Sequence, residues 1–177
     1  MQRGFHKFYW GFLFILLSFR IQGFDILPDF IGYLLFVMGF NALAEQSEYF
    51  TKAKTYNWPL LILSIFTIYQ QPQEAGVGTT LIGFVVSLIS TVLLLVVVYH
   101  LLMGVKDMAS RVNRYDLMEH AEKNWTFFLV FQIATFVVLL TIVIPPLFLV
   151  LALALFVGAI VLIVKLLRFM RVCGEQL

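Results

Sequence analysis

Charge is scarce in this sequence. Lys, Arg, Asp and Glu supply 12% of 177 residues, where a soluble globular domain would carry about one quarter. Cysteine is nearly missing: Cys173 stands alone, so no intrachain disulfide can form, and three scattered histidines complete no Cys/His set with zinc spacing. Twelve Lys plus Arg against ten Asp plus Glu leave a formal net charge of +2. No basic run tracks a phosphate backbone, which sets nucleic acid aside as a partner. Enzyme motifs are absent too: there is no His-Glu-x-x-His, no Gly-x-Ser-x-Gly, no phosphate-binding loop and no Gly-rich turn after a strand. No cofactor is implied, and the chain is expected not to be an enzyme.

What the sequence has is apolar surface: 62% of residues are hydrophobic and the mean hydropathy is +0.96. A membrane-crossing helix needs roughly 20 apolar residues, so six would occupy about 120 positions and leave only short connections. The expected fold is all-α, a polytopic transmembrane helix bundle of about six spans forming one integral membrane domain in the lipid bilayer. A barrel would show strictly alternating segments of about ten residues, and these runs are apolar on every face.

Spans are expected near Phe5 to Gln22, Ile26 to Ala44, Trp58 to Tyr69, Thr79 to Gly104, Trp125 to Ile144 and Leu147 to Lys165. The first is read as uncleaved, because no small-x-small site follows its apolar run Phe8 to Phe19. Asp25 is expected to cap the second helix, with Pro28 in its first turn. Pro145 and Pro146 mark the turn between the fifth and sixth. If both termini are cytoplasmic, Arg3, Lys7, Lys52, Lys54, Lys106, Arg111, Arg114, Lys123, Lys165, Arg168 and Arg171 all lie inside, eleven of twelve basic residues. That Lys/Arg bias fixes the expected topology. Trp58, Tyr99 and Trp125 then fall near the inner boundary, Tyr33 and Tyr69 near the outer one.

The sharpest local feature is the candidate polar cluster Arg20, Gln22, Asp25 and Asp29 at the outer end of the first hairpin. Ionised groups near hydrocarbon are costly, so they are usually paired or functional. Two carboxylates on one helical face beside one Arg could bind a cation or carry a proton. The simpler reading is structural: Asp25 caps the helix, Asp29 favours its positive end and Arg20 neutralises one of them.

The stretch from Ile21 through Gly23-Phe24-Asp25-Ile26-Leu27-Pro28-Asp29-Phe30-Ile31-Gly32 to Tyr33 resembles a signature of small multi-pass membrane proteins of Gram-positive bacteria with no assigned activity. The resemblance covers the first hairpin, implies the bacterial cytoplasmic (cell) membrane as compartment, and transfers no functional residue. In size, the chain is also similar to the substrate-capture subunits of energy-coupling-factor vitamin transporters. Those carry an Ala-x-x-x-Ala docking face on the first helix, whereas this one reads Trp10-Gly11-Phe12-Leu13-Phe14-Ile15-Leu16, without alanine.

Gly83, Ser87 and Thr91 recur at four-residue steps in the fourth span, as do Ala154 and Gly158 in the sixth, a spacing that lets helices approach closely. His100 is a lone titratable group near the inner end of the fourth. Between spans four and five, Val105, Met108, Ala109, Val112, Tyr115, Met118 and Ala121 form a helical stripe, with Asp107/Arg111 and Glu119/Lys123 at i,i+4. Residues 105–124 are thus expected to be a cytoplasmic amphipathic helix, packed on the bundle or the inner leaflet, or docking a membrane or cytosolic protein partner. Cys173 is read as an inert thiol, with acylation the alternative. The expected role is that of a noncatalytic membrane interaction or scaffold protein. The alternative is a small-solute transporter component, a substrate-binding membrane subunit.

Overall fold

The computed structural model describes residues 2–16, 20–21, 24–25, 29–67 and 77–177. Helices dominate: α1 Gln2–Leu16, α2 Asp29–Leu43, α3 Glu48–Thr67, α4 Val77–Arg111, α5 Tyr115–Leu140 and α6 Pro145–Gln176, with a 3-10 turn at Thr141–Val143 before α6. A two-residue antiparallel ladder, β1 Arg20–Ile21 with β2 Phe24–Asp25, stands between α1 and α2. The all-α expectation is met. The α4 stretch Gly83–Arg111, the stretch Tyr115–Val143 and α6 are long and apolar enough to cross a membrane, whereas α2 is apolar but shorter. At 15 residues each, α1 and α2 measure about 22 Å.

Each helix packs against the next, and α6 returns to α1, closing the six into a ring. The chain order puts both termini, the α2–α3 turn and the α4–α5 turn at one end, called here the terminal rim. Cross-contacts agree, since Leu43 lies beside Gly4, Phe50 beside Gly104, and Phe5 beside Gly174. The core sits toward this rim. Phe5, Phe8, Phe12 and Ile15 fall three and four apart along α1 and are all buried, the stripe a helix needs to bury one face. Phe8 meets Phe36 at 5.7 Å with rings nearly perpendicular, Phe40 at 4.8 Å and the α3 residue Phe50 at 6.3 Å, separations at which aromatic rings attract one another. From α4 and α6 come Leu101, Leu102, Val105, Leu166 and Met170, all fully enclosed.

Away from the rim the long helices lose their partners. Phe84 is 59% exposed, Leu149 68% and Phe156 65%. In water such surface would be a liability; against lipid chains it is the expected exterior of a spanning helix.

Two expectations about the elements are corrected. The third helix does not begin at Trp58 but ten residues earlier, because Phe50, Ala53, Asn57 and Leu60 make one buried stripe through a segment that reads as polar. Pro59 sits inside it. The segment 105–124 is not one amphipathic helix. Asn113 takes φ 56°, and the Asn113 and Arg114 amides return to the Ser110 and Ala109 carbonyls at 3.2 and 2.9 Å. That is the Schellman pattern of a helix end, with Asn tolerating the left-handed position. Its first part therefore finishes α4 and its second part begins α5. The stripe divides accordingly: Val105, Ala109, Leu117 and Ala121 are buried, while Val112 is 55% and Tyr115 72% exposed.

Candidate functional site

At the hairpin between α1 and α2, ladder register sets Arg20 directly opposite Asp25. Arg20 is expected near Asp25, and the register does bring their backbones together. Asp25 stands in β2 and Asp29 opens α2; residues 26–28 between them lie outside the described residues. Asp29 is the first residue of α2 and complements the partial positive charge of that helix end. Gln22 and Pro28 lie outside the described residues.

The terminal rim carries the densest polar network. Arg114, just before α5, holds Asp116 with two hydrogen bonds, Nε to Oδ1 at 3.0 Å and Nη2 to Oδ2 at 2.8 Å. This fork-on-fork geometry is the strong form of a charged hydrogen bond. Arg114 Nη2 also donates to Gln176 Oε1, tying the α4–α5 turn to the end of α6. Lys106 of α4 pairs with Glu122 of α5. The pairs expected at i,i+4 are present, Arg111 to Asp107 at 2.8 Å and Lys123 to Glu119 at 2.6 Å. The Arg114 hydrogen bond is the main reason that the Asp116 carboxyl is held down at about 2, and Lys123 likewise lowers Glu119. All these groups face solvent, so the pairs orient the turn more than they stabilise it.

One turn deeper, three tyrosines from two helices surround His100. Ring centroids lie 6.1 Å away for Tyr49, 5.5 Å for Tyr56 and 5.3 Å for Tyr99. Tyr99 in turn meets Trp125 of α5 at 5.1 Å. The His100 Nδ1 lies 2.8 Å from the Val96 carbonyl of its own helix. A carbonyl only accepts, so Nδ1 bears the proton and Nε2 is left to the aromatic cluster.

Asn57 is a further buried polar residue, in a segment that reads as a polar connection. Its residue is fully buried, its Nδ2 donates to the Tyr33 carbonyl at 2.8 Å across the α2–α3 seam, and its Oδ1 is enclosed with no protein partner among the described residues. The available signal was its place in the stripe Phe50, Ala53, Asn57, Leu60. The packing assigned to Gly83, Ser87 and Thr91 is also corrected. A Cβ at Gly83 would meet nothing within 4 Å among the described residues, and Ser87 is exposed. In α6, Gly158 packs near Phe131, while Ala154 is exposed. The close approach lies instead in α1 and α2, where Gly11 meets Gly32 and Gly39 meets Phe8. Cys173 is buried in the core and packs there as an apolar residue. Among the described residues, no three of His, Cys, Asp and Glu converge as metal ligands would.

Compared with family models, curated proteins and solved structures, the chain matches none.

Proposed function

We propose that this chain is a noncatalytic multi-pass protein of the bacterial cytoplasmic membrane, a scaffold or interaction protein. Six helices cross the bilayer, both termini are cytoplasmic, and the α4–α5 turn meets a membrane or cytosolic protein partner. The observation that carries this reading is the polarity of the ring. Ion pairs and basic side chains gather at the terminal rim, exposed apolar side chains cover the long helices beyond it, and the rim's tip offers Val112 and Tyr115 to solvent between Arg111 and Asp116. A Lys/Arg excess marks a cytoplasmic face, and an exposed aromatic beside charged neighbours is what a protein interface recruits.

Polar side chains along the helices support this over solute transport. Ser64, Thr91, His100, Thr135 and Thr141 each bond a carbonyl three or four residues back on their own helix, whereas a transport path presents polar groups at mid-membrane to its cargo.

Photo-crosslinking from position 115 in native membranes tests the proposal. A discrete protein adduct, lost when Val112 is changed to Asp, is expected. No adduct, or an adduct indifferent to Val112, contradicts the docking role, and capture of a transport ATPase would favour the transporter alternative.

A further inference from the structure

The basic residues of the terminal rim fall into two groups. On α3, α4 and α5, Lys52, Lys106, Arg111, Arg114 and Lys123 each have a carboxylate partner, and only Lys54 has none among the described residues. On α1 and α6, Arg3, Lys7, Lys165, Arg168 and Arg171 have none among the described residues. Three of these five, Arg3, Lys7 and Arg171, line one concavity of about 680 Å³ on the α1–α6 seam. Glu175 is the single carboxylate in its wall, so cations outnumber anions there by three to one.

Its remaining wall has interfacial chemistry. Tyr9 lies 5.8 Å beneath the Arg171 guanidinium, and Trp10, 42% exposed, donates from Nε1 to His6 Nε2 at 3.0 Å. Phe5 and Met170 close the floor. Trp and Tyr favour the level of lipid headgroups, and basic pockets between membrane helices on the cytoplasmic side hold phosphate-bearing heads. An anion in this groove would find guanidinium donors able to bind phosphate oxygens in pairs, and apolar side chains placed for the glycerol and upper acyl carbons. A free phosphate would leave most of that volume empty.

We propose that the α1–α6 groove binds the phosphate headgroup of an anionic phospholipid, with Arg3, Lys7 and Arg171 as its cationic ligands. The proposal rests on the reading that the chain spans a bilayer with this rim at a headgroup layer. It also gives the unpaired cations of α1 and α6 the counter-charge that those of α4 and α5 find within the protein.

The full chain, reconstituted in nanodiscs of phosphatidylcholine with phosphatidylglycerol, is released for native mass spectrometry and its retained lipid identified. Retention of phosphatidylglycerol over phosphatidylcholine is expected. Arg3→Gln and Arg171→Gln should each weaken that preference roughly five-fold, while Lys52→Gln, which removes a paired cation elsewhere on the rim, should leave it unchanged. Glycerol phosphate and inorganic phosphate are added to the same sample. If either displaces the lipid at equal concentration, the ligand is a soluble phosphate and the proposal fails. It fails equally if wild type shows no headgroup preference, or if Lys52→Gln acts like Arg171→Gln. Wild-type preference needs no variant to fold, and a nanodisc has no cytoplasmic side, so failure here is distinct from a failure of the topology.

Discussion

Gly11 of α1 and Gly32 of α2 face each other so closely that a Cβ on Gly32 would stand 2.9 Å from the Gly11 carbonyl oxygen, and one on Gly11 3.1 Å from that of Gly32. The two backbones touch here, as small residues allow in membrane helix pairs. Gly4 and Gly39, each one heptad along its own helix toward the terminal rim, extend the seam against Leu43 and Phe8.

This contact makes the first prediction. Gly11→Ala would drive its methyl to 2.4 Å from a Phe36 ring carbon, and overpacking of this kind costs about 1 to 3 kcal/mol. Gly83→Ala, with open space around it, should be neutral. Thermal unfolding of the two variants in one detergent compares them directly. Equal melting temperatures would remove the glycine seam from the account.

Asn57 is expected to be worth more than its polar neighbours. Asn57→Ala deletes the hydrogen bond to the Tyr33 carbonyl and leaves a cavity at a fully buried site, a loss of about 1 to 3 kcal/mol. Thr55→Ala, whose hydroxyl bonds the Thr51 carbonyl on its own exposed face, should change stability little. Chemical denaturation of both variants is the check.

At the hairpin between α1 and α2, Arg20→Gln alone should destabilise by leaving carboxylates uncompensated near hydrocarbon. Arg20→Gln with Asp25→Asn should recover much of the loss, a coupling of about 0.5 to 3 kcal/mol in a double-mutant cycle. Strictly additive losses would show that the opposed register carries no pairing. Loss of an ion- or pH-dependent response in Asp29→Asn with stability intact would favour an ion site.

Acid sensitivity of the α4–α5 turn follows from Asp116. Its folded value, about 2, lies below the ordinary carboxylate value near 4. A depressed folded value means that the pair's stabilisation is present above the unfolded value and is lost as pH falls from about 4 toward about 2. Hydrogen exchange of the Arg114 and Tyr115 amides should quicken over that window in wild type. In Asp116→Asn it should be insensitive to pH there, after correction for intrinsic exchange.

Much of this architecture is legible in the sequence because hydrocarbon demands long uninterrupted runs, and those of α4, α5 and α6 tolerate no other reading. Elements at the rim are less legible. Glu48, Lys52 and Lys54 present α3 as a polar connection and conceal the stripe on its other side. Asn113 breaks the 105–124 helix through a left-handed backbone that Asn tolerates without announcing it. Gly83, Ser87 and Thr91 misled for a different reason: spacing shows that a helix could approach, but only the ring says whether one is there. Glycines seven apart on two helices declare themselves only once the partners are known. In the polar cluster, the nearness of Arg20 and Asp25 follows from a short hairpin, whereas their register in the ladder depends on backbone pairing that residue types do not encode.

The account stands most directly on which face of the membrane each end of the ring occupies. In a Cys173→Ala background, single cysteines at positions 54, 74 and 110 are exposed in intact cells to a membrane-impermeant thiol reagent. Labelling of Glu74→Cys, with Lys54→Cys and Ser110→Cys reacting only after the cells are opened, is expected if six helices cross and the terminal rim is cytoplasmic. Labelling of Lys54→Cys or Ser110→Cys from outside would contradict it.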